Sequence, residues 1–532
     1  MRGPFGARLE VPGKKPVDVS EILDDFTYRV GVPGGFLGAS GKLWASIDDY
    51  GLTEGSRLII SNGTDASTLW EGHLDSPGEQ FDETGEAFDL SAQGAMTLAS
   101  DQAEPLLYLD SQLGQWRADD LEANNIPKAA QASKGTIPET TTEALVLEFP
   151  SGSVIGAGDQ ARIIHDLAER CPMGLGGYFA SVRSGIDSAN YELRVTVEGN
   201  SVIETLSMQT GAIAARGVRG SGTWQAFGRV LKFRLVRTGG ATTVGTDNIW
   251  SAWSNVIVAG NRRDRFGEET ITPATTLNSL RAWEVVEDLV YRLMPMVDPN
   301  RSRIFHGDYD IDQLVYPEPA RAAGVLDDLS LFEPDFYWRF TASAPDGRFG
   351  FTYDRWPSTP RYEISIQDGY SAPGSDASQA NRVTVVWTDK GGRERTEVAT
   401  LYVPALGGTP DNPTRDRTVD AEQITLPEQI SSQANATRIA NQWLRIVNEP
   451  AQAASATVVR RVRDLVSGGW ISPWEMQPGN LVRVRESGKN HRLTELEVDT
   501  DALSVGLTLG HPKPTIEQLV ARLSEPSRRR RR

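Results

Sequence analysis

The sequence predicts a mainly β protein with α+β parts, divided into several domains. The chain has 532 residues, and because a single hydrophobic core stops growing at roughly 250–300 residues, one domain cannot hold it. Short alternations of apolar and polar residues recur along most of the chain, separated by turns rich in its 51 glycines and 30 prolines, which is typical of β-strands. Clear helical spacing of apolar residues is confined to three segments in the second half.

Residues 1–115 are predicted to form an all-β domain. The segments 57–61 and 68–74 flank Asn62-Gly63, a dipeptide that readily supplies the positive φ angles of a tight hairpin turn. Such a hairpin is the strongest local signal in this part of the chain. Two further strands are expected, at 26–30 and 87–92.

A change of composition separates this domain from a second set of strands. Residues 116–143 are rich in Asp, Asn, Lys, Thr and Ala and are interpreted as a linker. Residues 144–262 are predicted to form an inserted β-sandwich, because short strands there alternate with Gly, Asn and Ser turns. Such an insertion is tolerated, since each doubling of loop length costs only about 0.6 kcal/mol. The expected strands are 144–149, 178–182, 191–197, 230–236 and 250–258.

Three tryptophans of this segment are the candidate ligand-binding residues: Trp224, Trp250 and Trp253. Indole rings can stack on the apolar faces of sugars while neighbouring polar groups bind the hydroxyls. The odd spacing of Trp250 and Trp253 puts them on opposite faces of one strand, so at most one of that pair is exposed. A carbohydrate-binding-like module and a structural or partner-packing role both stay open.

Residues 263–424 are predicted to form an α+β domain. Apolar residues recur at three- and four-residue steps over 277–293, before Pro295 ends the pattern. An apolar stripe of this width must be buried against a sheet or another helix. A second, shorter helix is expected at 319–331, followed by further strands.

Residues 425–512 are predicted to form the C-terminal β-barrel portion, with one helix at 431–447. Pro478-Gly479 is a turn signal that leads into an alternating strand. Residues 513–532 are a basic tail that ends in five arginines. Such a tail is either solvated or able to bind an acidic neighbour or DNA.

The overall charge limits the classes of function. A net charge of −17 argues against gripping duplex DNA, because non-specific affinity comes largely from basic residues that displace phosphate counterions. It suits either a channel wall that DNA passes without sticking or a surface that keeps the protein in solution. The single cysteine, Cys171, cannot form an internal disulfide, as expected of assembly in a reducing cytoplasm. No secretory signal follows Met1 and no apolar run approaches 18 residues, so no stable membrane insertion is expected.

No catalytic residue, cofactor or metal site is predicted. The segment 38–42 ends in Gly-Lys but lacks the other residues of a phosphate-binding loop. The run 306–313 has acids at alternating positions like a calcium loop, yet lacks the glycine and the glutamate that complete one. The five histidines are scattered. We therefore predict no enzyme, although paired carboxylates for glycoside cleavage stay open, because the sequence does not show which acids meet.

Two separated stretches carry a narrower resemblance. Residues 332–340 read Phe-Glu-Pro-Asp-Phe-Tyr-Trp-Arg-Phe, and residues 468–485 contain Pro-Trp-Glu followed by Pro-Gly. With the Gly-Arg-Phe hairpin and the Asn-Arg-Val strand between them, this order resembles the hub domain of minor tail, or tail-tip (baseplate) hub, proteins of long-tailed actinobacteriophages. The resemblance covers roughly 277–510 and fits the N-terminal domain less specifically. The inserted sandwich departs from it.

The resemblance implies a structural virion protein at the tail tip that ends the tail tube, takes part in host attachment and lets DNA pass through its lumen. Hubs of this kind are homotrimers in which two similar tube-like β-barrels per subunit, here expected in 1–115 and 425–512, continue the sixfold tube. The implied partners are the distal tail, tape-measure and other tail-tip proteins, with assembly in the host cytoplasm. Two alternatives are a host-surface glycan-binding adhesin and a tail-associated glycoside hydrolase.

Overall fold

The structure, a computed structural model, is mainly β. It describes residues 4–44, 52–53, 55–75, 78–82, 85–109 and 280–510, the last range with gaps at 312, 334, 373–379, 389–392, 422, 427–432 and 449–453. Between 110 and 279 it describes the backbone of the strands named below and residues 239–240. Strands far outnumber helices and lie in several sheets. The mainly β, multidomain fold class is therefore confirmed.

Residues 4–109 form what we call the N-terminal lobe. Its strands are β1 (Phe5–Glu10), β2 (Val17–Asp18), β3 (Leu23–Gly31), β4 (Gly35–Leu43), β5 (Arg57–Asn62), β6 (Thr68–Leu74), β7 (Gly78–Asp82), β8 (Gly85–Gly94) and β9 (Ala103–Leu109). All but β9 form one antiparallel sheet in the order β2-β1-β5-β6-β8-β4-β3, with β7 paired to β8. In β1, Phe5, Ala7 and Leu9 are buried and alternate with more exposed residues, so one face of the strand packs on the core.

The hairpin predicted around Asn62-Gly63 is confirmed, with a different turn. The strands β5 and β6 pair antiparallel. The backbone N–H of Asn62 donates to the carbonyl oxygen of Ser67, and the residue with a positive φ (56°) is Ala66. The N–H of Gly63 instead donates to the carbonyl oxygen of Pro4. Gly63 therefore contacts Pro4, and the tight turn lies closer to β6 than predicted.

The described strands between 116 and 257 form two larger antiparallel sheets and the separate two-stranded pair β13–β19. Its strands are β10 (Trp116–Ala118), β11 (Ser133–Thr136), β12 (Glu143–Phe149), β13 (Val154–Ile155), β14 (Gln160–Gly174), β15 (Gly177–Arg183), β16 (Tyr191–Val197), β17 (Val202–Ser207), β18 (Gln225–Arg237), β19 (Thr242–Thr243) and β20 (Ile249–Ile257). One sheet has the order β10-β14-β18-β16-β17 and the other β11-β12-β20-β15. Two sheets are the components that a sandwich needs. The strands β10 and β11 lie within 116–143, so the segment interpreted as a linker also supplies an edge strand to each sheet.

Residues 280–355 form what we call the central segment. Its elements are β21 (Leu280–Arg281), α1 (Ala282–Leu293), β22 (Arg303–Ile304), β23 (Asp310–Ile311), β24 (Gln313–Arg321), α2 (Ala322–Phe332), β25 (Phe336–Ser343) and β26 (Phe349–Arg355). Both predicted helices are present but begin later than predicted. The residues Leu280 and Arg281 pair with β23, and Ala320 and Arg321 pair with β9. Residues 280–281 and 320–321, which the apolar pattern assigned to helices, thus belong to strands.

The turn between β3 and β4 packs directly on β25. The backbone N–H of Gly34 donates to the carbonyl oxygen of Trp338 at 3.0 Å, and the N–H of Phe340 donates to that of Gly34 at 3.0 Å. A Cβ atom on Gly35, whose φ is +89°, would lie 2.4 Å from the carbonyl oxygen of Phe340. The turn therefore requires glycine, and it joins the N-terminal lobe to the central segment.

After residue 355, the described residues form these strands and this α-helix: β27 (Pro360–Ile364), β28 (Arg382–Thr388), β29 (Glu394–Thr400), β30 (Ile424–Thr425), α3 (Gln433–Asn448), β31 (Ala454–Val458), β32 (Val462–Asp464), β33 (Trp470–Ile471), β34 (Leu481–Val484), β35 (Asn490–Asp499) and β36 (Ser504–Leu509). The helix α3 packs on β28 and β29. We call β27 and β31–β36 the C-terminal lobe. In the described part of the chain, every helix is too short or too polar to cross a lipid bilayer.

The two lobes share one 15-stranded sheet, because β3 pairs antiparallel with β35. Their strand orders differ among the described pairings. In the N-terminal lobe β1 pairs with the first strand of the β5–β6 hairpin, whereas in the C-terminal lobe β31 pairs with the second strand of the β35–β36 hairpin. The pair β27–β34 is parallel. The two lobes thus lie in one continuous sheet with different described pairings, and a separate tube-like β-barrel in each of 1–115 and 425–512 stays a prediction.

Candidate functional site

The two stretches that carry the resemblance lie far apart in the sequence and in direct contact in the structure. Arg339 on β25 donates from Nη1 to the carbonyl oxygen of Pro478 at 2.9 Å. Gly479 follows with a φ of +91°, and a Cβ atom there would lie 2.8 Å from the ring of Tyr337. The turn therefore needs glycine both for its backbone angle and for the space. We call this contact the Arg339 corner.

Aromatic and charged side chains surround the Arg339 corner. The ring centroids of Tyr337 and Trp356 lie 5.1 Å apart, and the guanidinium carbon of Arg492 lies 5.0 Å from the Trp356 centroid. Arg492 Nη2 is 3.4 Å from Asp335 Oδ1. Burial lowers the pKa of Arg339, since little water reaches its guanidinium. Arginines held between aromatic faces and carboxylates fix chain segments against each other.

Glu333 is a buried carboxylate beside this corner, with a side chain only 1% exposed. The Tyr353 hydroxyl donates to Glu333 Oε2 at 2.8 Å, and Arg438 Nη2 lies 3.4 Å from Glu333 Oε1. Burial raises the pKa of Glu333 to about 7, although both partners act in the opposite direction. Arg438 belongs to α3, so this contact joins that helix to the central segment.

The same arginine also binds Asp308, the first acid of the calcium-like run. Arg438 Nη2 and Arg355 Nη2 lie 3.2 Å and 3.4 Å from Asp308 Oδ1. Burial opposes ionisation of Asp308, but the two arginines and a backbone hydrogen bond outweigh it and lower the pKa. The charge of this carboxylate is thus already compensated by guanidinium groups. Asp312, a later acid of the run, lies outside the described residues.

Asp308 and Glu333 are a carboxylate pair that folding brings together, on Arg438. A glycosidase needs both carboxyl groups to reach the sugar, and Glu333 is buried beneath its partners. The pair therefore serves to hold elements in place. One group of three acids among the described residues has oxygens within 4.8 Å of one another, Asp24, Asp25 and Asp501; all three are exposed, a common arrangement without a metal.

The candidate tryptophans are described only in part. Trp224 lies outside the described residues. Trp250 and Trp253 lie on β20, and the pairing of β20 with β12 runs without a bulge between them. The two positions therefore lie on opposite faces of the sheet, as predicted. A sugar-binding platform formed by the three tryptophans stays a prediction.

Sequence reasoning missed the buried network between β9 and α1. The Tyr108 hydroxyl donates to Asp288 Oδ2 at 2.7 Å across 180 residues, and Arg292 Nη2 donates to Glu104 Oε2 at 2.7 Å. Asp288 is fully buried. The sequence held no signal for this network, because Asp288 lies off the apolar stripe of the predicted helix and its partner Tyr108 is 180 residues away.

Comparisons with known proteins give only distant similarities. No family model matches the chain, and no curated protein sequence matches it. Among solved structures, the chain is similar to the 43 kDa tail protein of prophage MuSo2 from Shewanella oneidensis, with 9% identity, a TM-score of 0.42, and coverage of 95% of this chain and 98% of that one.

Two further structures show the same level of similarity. They are the tail protein from Neisseria meningitidis MC58 (9% identity, TM-score 0.44, 97% and 99% coverage) and the prophage tail protein gp18 from Listeria monocytogenes EGD-e (8% identity, TM-score 0.40, 99% and 100% coverage). Similarity at this level assigns no function, which has to be argued from the chain itself.

Proposed function

We propose that this chain is a structural virion protein of a phage tail and, more narrowly, the tail-tip hub that ends the tail tube. The observation that carries the proposal is the Arg339 corner. The stretches 332–340 and 468–485, on which the sequence resembles tail-tip hubs, pack against each other through Arg339, Pro478 and Gly479. This contact supports interpreting the resemblance as one shared structural unit.

The use of buried charge also supports a structural role over an enzymatic one. Glu71 is 1% exposed and accepts hydrogen bonds from Arg57 and from the backbone N–H of Ser343. The pairs Tyr108–Asp288 and Arg438–Glu333 likewise join elements distant in sequence. Each of these described carboxylates is enclosed by its partners, so it positions chain segments and does not face a substrate.

The assembly that we propose is a homotrimer. Because β3 and β35 join the two lobes into one sheet, each chain would supply a single wide arc, and three arcs would close a cylinder continuous with the tail tube. Distal tail, tape-measure and other tail-tip proteins would contact its ends. The acidic net charge of −17 would keep phosphate away from the lumen wall during DNA passage.

Location on the virion is the first test. Gold-labelled antibody against this chain should mark the tail tip in electron micrographs of intact particles. Label on the head, label along the tail, or no label on particles that infect normally would contradict the proposal.

The oligomeric state is a separate test. Sedimentation velocity of the purified chain, whose monomer mass is 58.1 kDa, should give three times that mass. A monomer at every concentration would contradict the trimer and leave the proposed location standing.

For the inserted sheets we propose contact with a host-surface glycan. The full chain should bind sugars on a glycan array, and Trp224→Ala should abolish binding. Trp470→Ala is the matched control, because Trp470 is 57% exposed on the C-terminal lobe. Equal binding by both variants would contradict the proposal that the tryptophans form a sugar-binding platform.

A further inference from the structure

Four arginines lie together on the side of the C-terminal lobe that faces away from the core. Arg483 on β34 is in register with Glu363 on β27, and Glu363 is in register with Arg463 on β32. Residues in register on neighbouring strands project from the same side of a sheet, and Arg463 and Arg483 are both exposed on it. We call the arginine face these two and the exposed arginines two residues along the chain from them: Arg461, Arg463, Arg483 and Arg485.

The arginine face is basic although two glutamates lie at it. Glu363 Oε1 is 3.1 Å from Arg485 Nε and 3.9 Å from Arg463 Nη1, and these two arginines stay 50% and 49% exposed. Glu486 accepts a hydrogen bond from Ser365 Oγ at 2.7 Å. The chain as a whole has a net charge of −17. Exposed arginines are typical of protein interfaces, because the planar guanidinium binds carboxylates through two parallel hydrogen bonds.

Strand β35 carries the opposite charge on the side away from the core. Successive outward residues of this strand and of the turn after it are acidic, and they alternate with the buried Leu496 and Val498. The first of them, Glu495, pairs with Arg29 Nη1 at 3.5 Å. We call the acids that follow it the acidic row: Glu497, Asp499 and Asp501.

The arginine face and the acidic row are too far apart to neutralise each other within one chain. Arg483 is in register with Asn490 on β35, and from Asn490 to Glu497 a strand covers about 23 Å at roughly 3.3 Å per residue. This distance is more than twice the Debye length of about 8–10 Å at physiological salt. A chain with a basic and an acidic region so far apart is complementary to further copies of itself.

We propose that the acidic row of one copy contacts the arginine face of the next copy. The inference rests on the homotrimer of the proposed function and names the surfaces that meet in it. Because two different regions meet, each copy keeps one region for a further neighbour, and such head-to-tail contacts form a ring when the rotation between copies closes. Complementary charges also determine which surfaces meet and increase the rate of their encounter.

Charge reversal in the full chain tests the proposal. Sedimentation velocity gives the protein concentration at which half of the chains are assembled. Arg461→Glu with Arg483→Glu should raise this concentration on the order of a hundredfold, because like charges would then face each other. Glu497→Lys with Asp501→Lys should raise it to a similar extent. A chain with all four substitutions should return to within about threefold of the natural value, because the charges are again opposite.

The matched control is Arg348→Glu with Arg415→Glu, since both arginines are exposed and lie outside the arginine face; it should leave the half-assembly concentration unchanged. Recovery in the chain with all four substitutions separates a lost contact from misfolding, because two further surface substitutions do not repair a misfolded lobe. If the arginine reversal lowers the melting temperature, Arg461→Gln with Arg483→Gln supplies a milder variant, for which a smaller rise is expected.

Unchanged assembly of both reversed variants would overturn the inference and leave the trimer standing. A natural protein that is monomeric at every concentration would overturn it together with the trimer, and the antibody label would still test the location. A fluorescein-labelled oligothymidylate is the probe for the other class of partner. If the arginine reversal abolishes its binding and leaves assembly unchanged, the arginine face binds nucleic acid, and the inference is overturned.

Discussion

At the scale of single residues, Arg57 shows how one side chain connects the N-terminal lobe to the central segment. Its Nε donates to Glu71 Oε1 at 2.7 Å and its Nη1 to Glu10 Oε2 at 3.0 Å, while Nη2 contacts Ser343 Oγ. Glu71 also accepts from the backbone N–H of Ser343 at 3.2 Å. Because Glu71 is nearly fully buried, its charge depends on these donors.

Arg57→Met should therefore lower the free energy of unfolding by about 3–5 kcal/mol, the usual cost of leaving one member of a buried ion pair behind. Urea unfolding followed by tryptophan fluorescence measures this change. Arg8→Met is the control, since Arg8 is 56% exposed and pairs with Glu10 at 2.9 Å; it should cost no more than about 1 kcal/mol. Similar losses for both variants would contradict the role assigned to Arg57.

Glu333 makes a pH-dependent contribution. Its pKa is raised from 4.5 to about 7 by burial, so the folded state holds the proton more tightly than the unfolded state. The resulting stabilisation is complete below pH 4.5 and is lost as the pH rises through 7. Glu333→Gln, which stays neutral, should gain in stability relative to the natural protein by up to about 3 kcal/mol between pH 4.5 and pH 8. A difference that does not change with pH in urea unfolding would refute this assignment.

At the scale of elements, the Arg339 corner depends on a glycine. Gly479→Ala places a methyl group 2.8 Å from the Tyr337 ring, which is held in turn against Trp356. Gly488→Ala is the control, because Gly488 also has a positive φ (67°) but nothing within 4 Å of a Cβ atom. In both variants backbone strain should lower the free energy of unfolding by about 1–2 kcal/mol. Overpacking should lower it by about 1–3 kcal/mol more in Gly479→Ala. Equal melting temperatures would show that Tyr337 moves aside freely.

Element type could be predicted from local pattern better than element boundaries. The apolar spacing over 277–293 and 319–331 predicted α1 and α2, and both are present. The residues directly before each helix lie in strands, because Arg281 pairs with Asp310, and Arg321 pairs with Ala103. Such pairing partners lie far away in the sequence, so no local pattern contains them.

At the scale of the whole molecule, the β3–β35 pairing should make the two lobes unfold together. Val498 on β35 is fully buried and pairs with Tyr28 on β3. Val498→Ala should cost about 2 kcal/mol and should speed amide hydrogen exchange in β3 and β4 as much as in β36. Val398→Ala, at a 52% exposed position on β29, should change neither the free energy of unfolding nor the exchange rates. Faster exchange confined to the C-terminal lobe would show that the lobes are independent.

The fusion of the lobes could not be predicted from the sequence. The hydroxyl of Thr500 donates to the carbonyl oxygen of Phe26 at 2.9 Å, and 474 residues separate the two. The alternation of apolar and polar residues in one strand predicts that it belongs to a sheet, but not which strand is its neighbour. The candidate site shows the same limit: the stretches around Arg339 and Pro478 were recognised separately, and their hydrogen bond depends on tertiary packing. The tryptophan platform stays a prediction, since Trp224 lies outside the described residues.

The strand β35, which extends the shared sheet beyond β3, is synthesised long after β3. At synthesis rates of about 5–20 residues per second, the 474 residues between Phe26 and Thr500 correspond to roughly 25–95 seconds. During that time the outer edge of β3 has no native neighbour, and an open strand edge readily pairs with another chain. Nascent chains would need a chaperone or a temporary partner at that edge, and a product truncated before β35 would keep it exposed permanently.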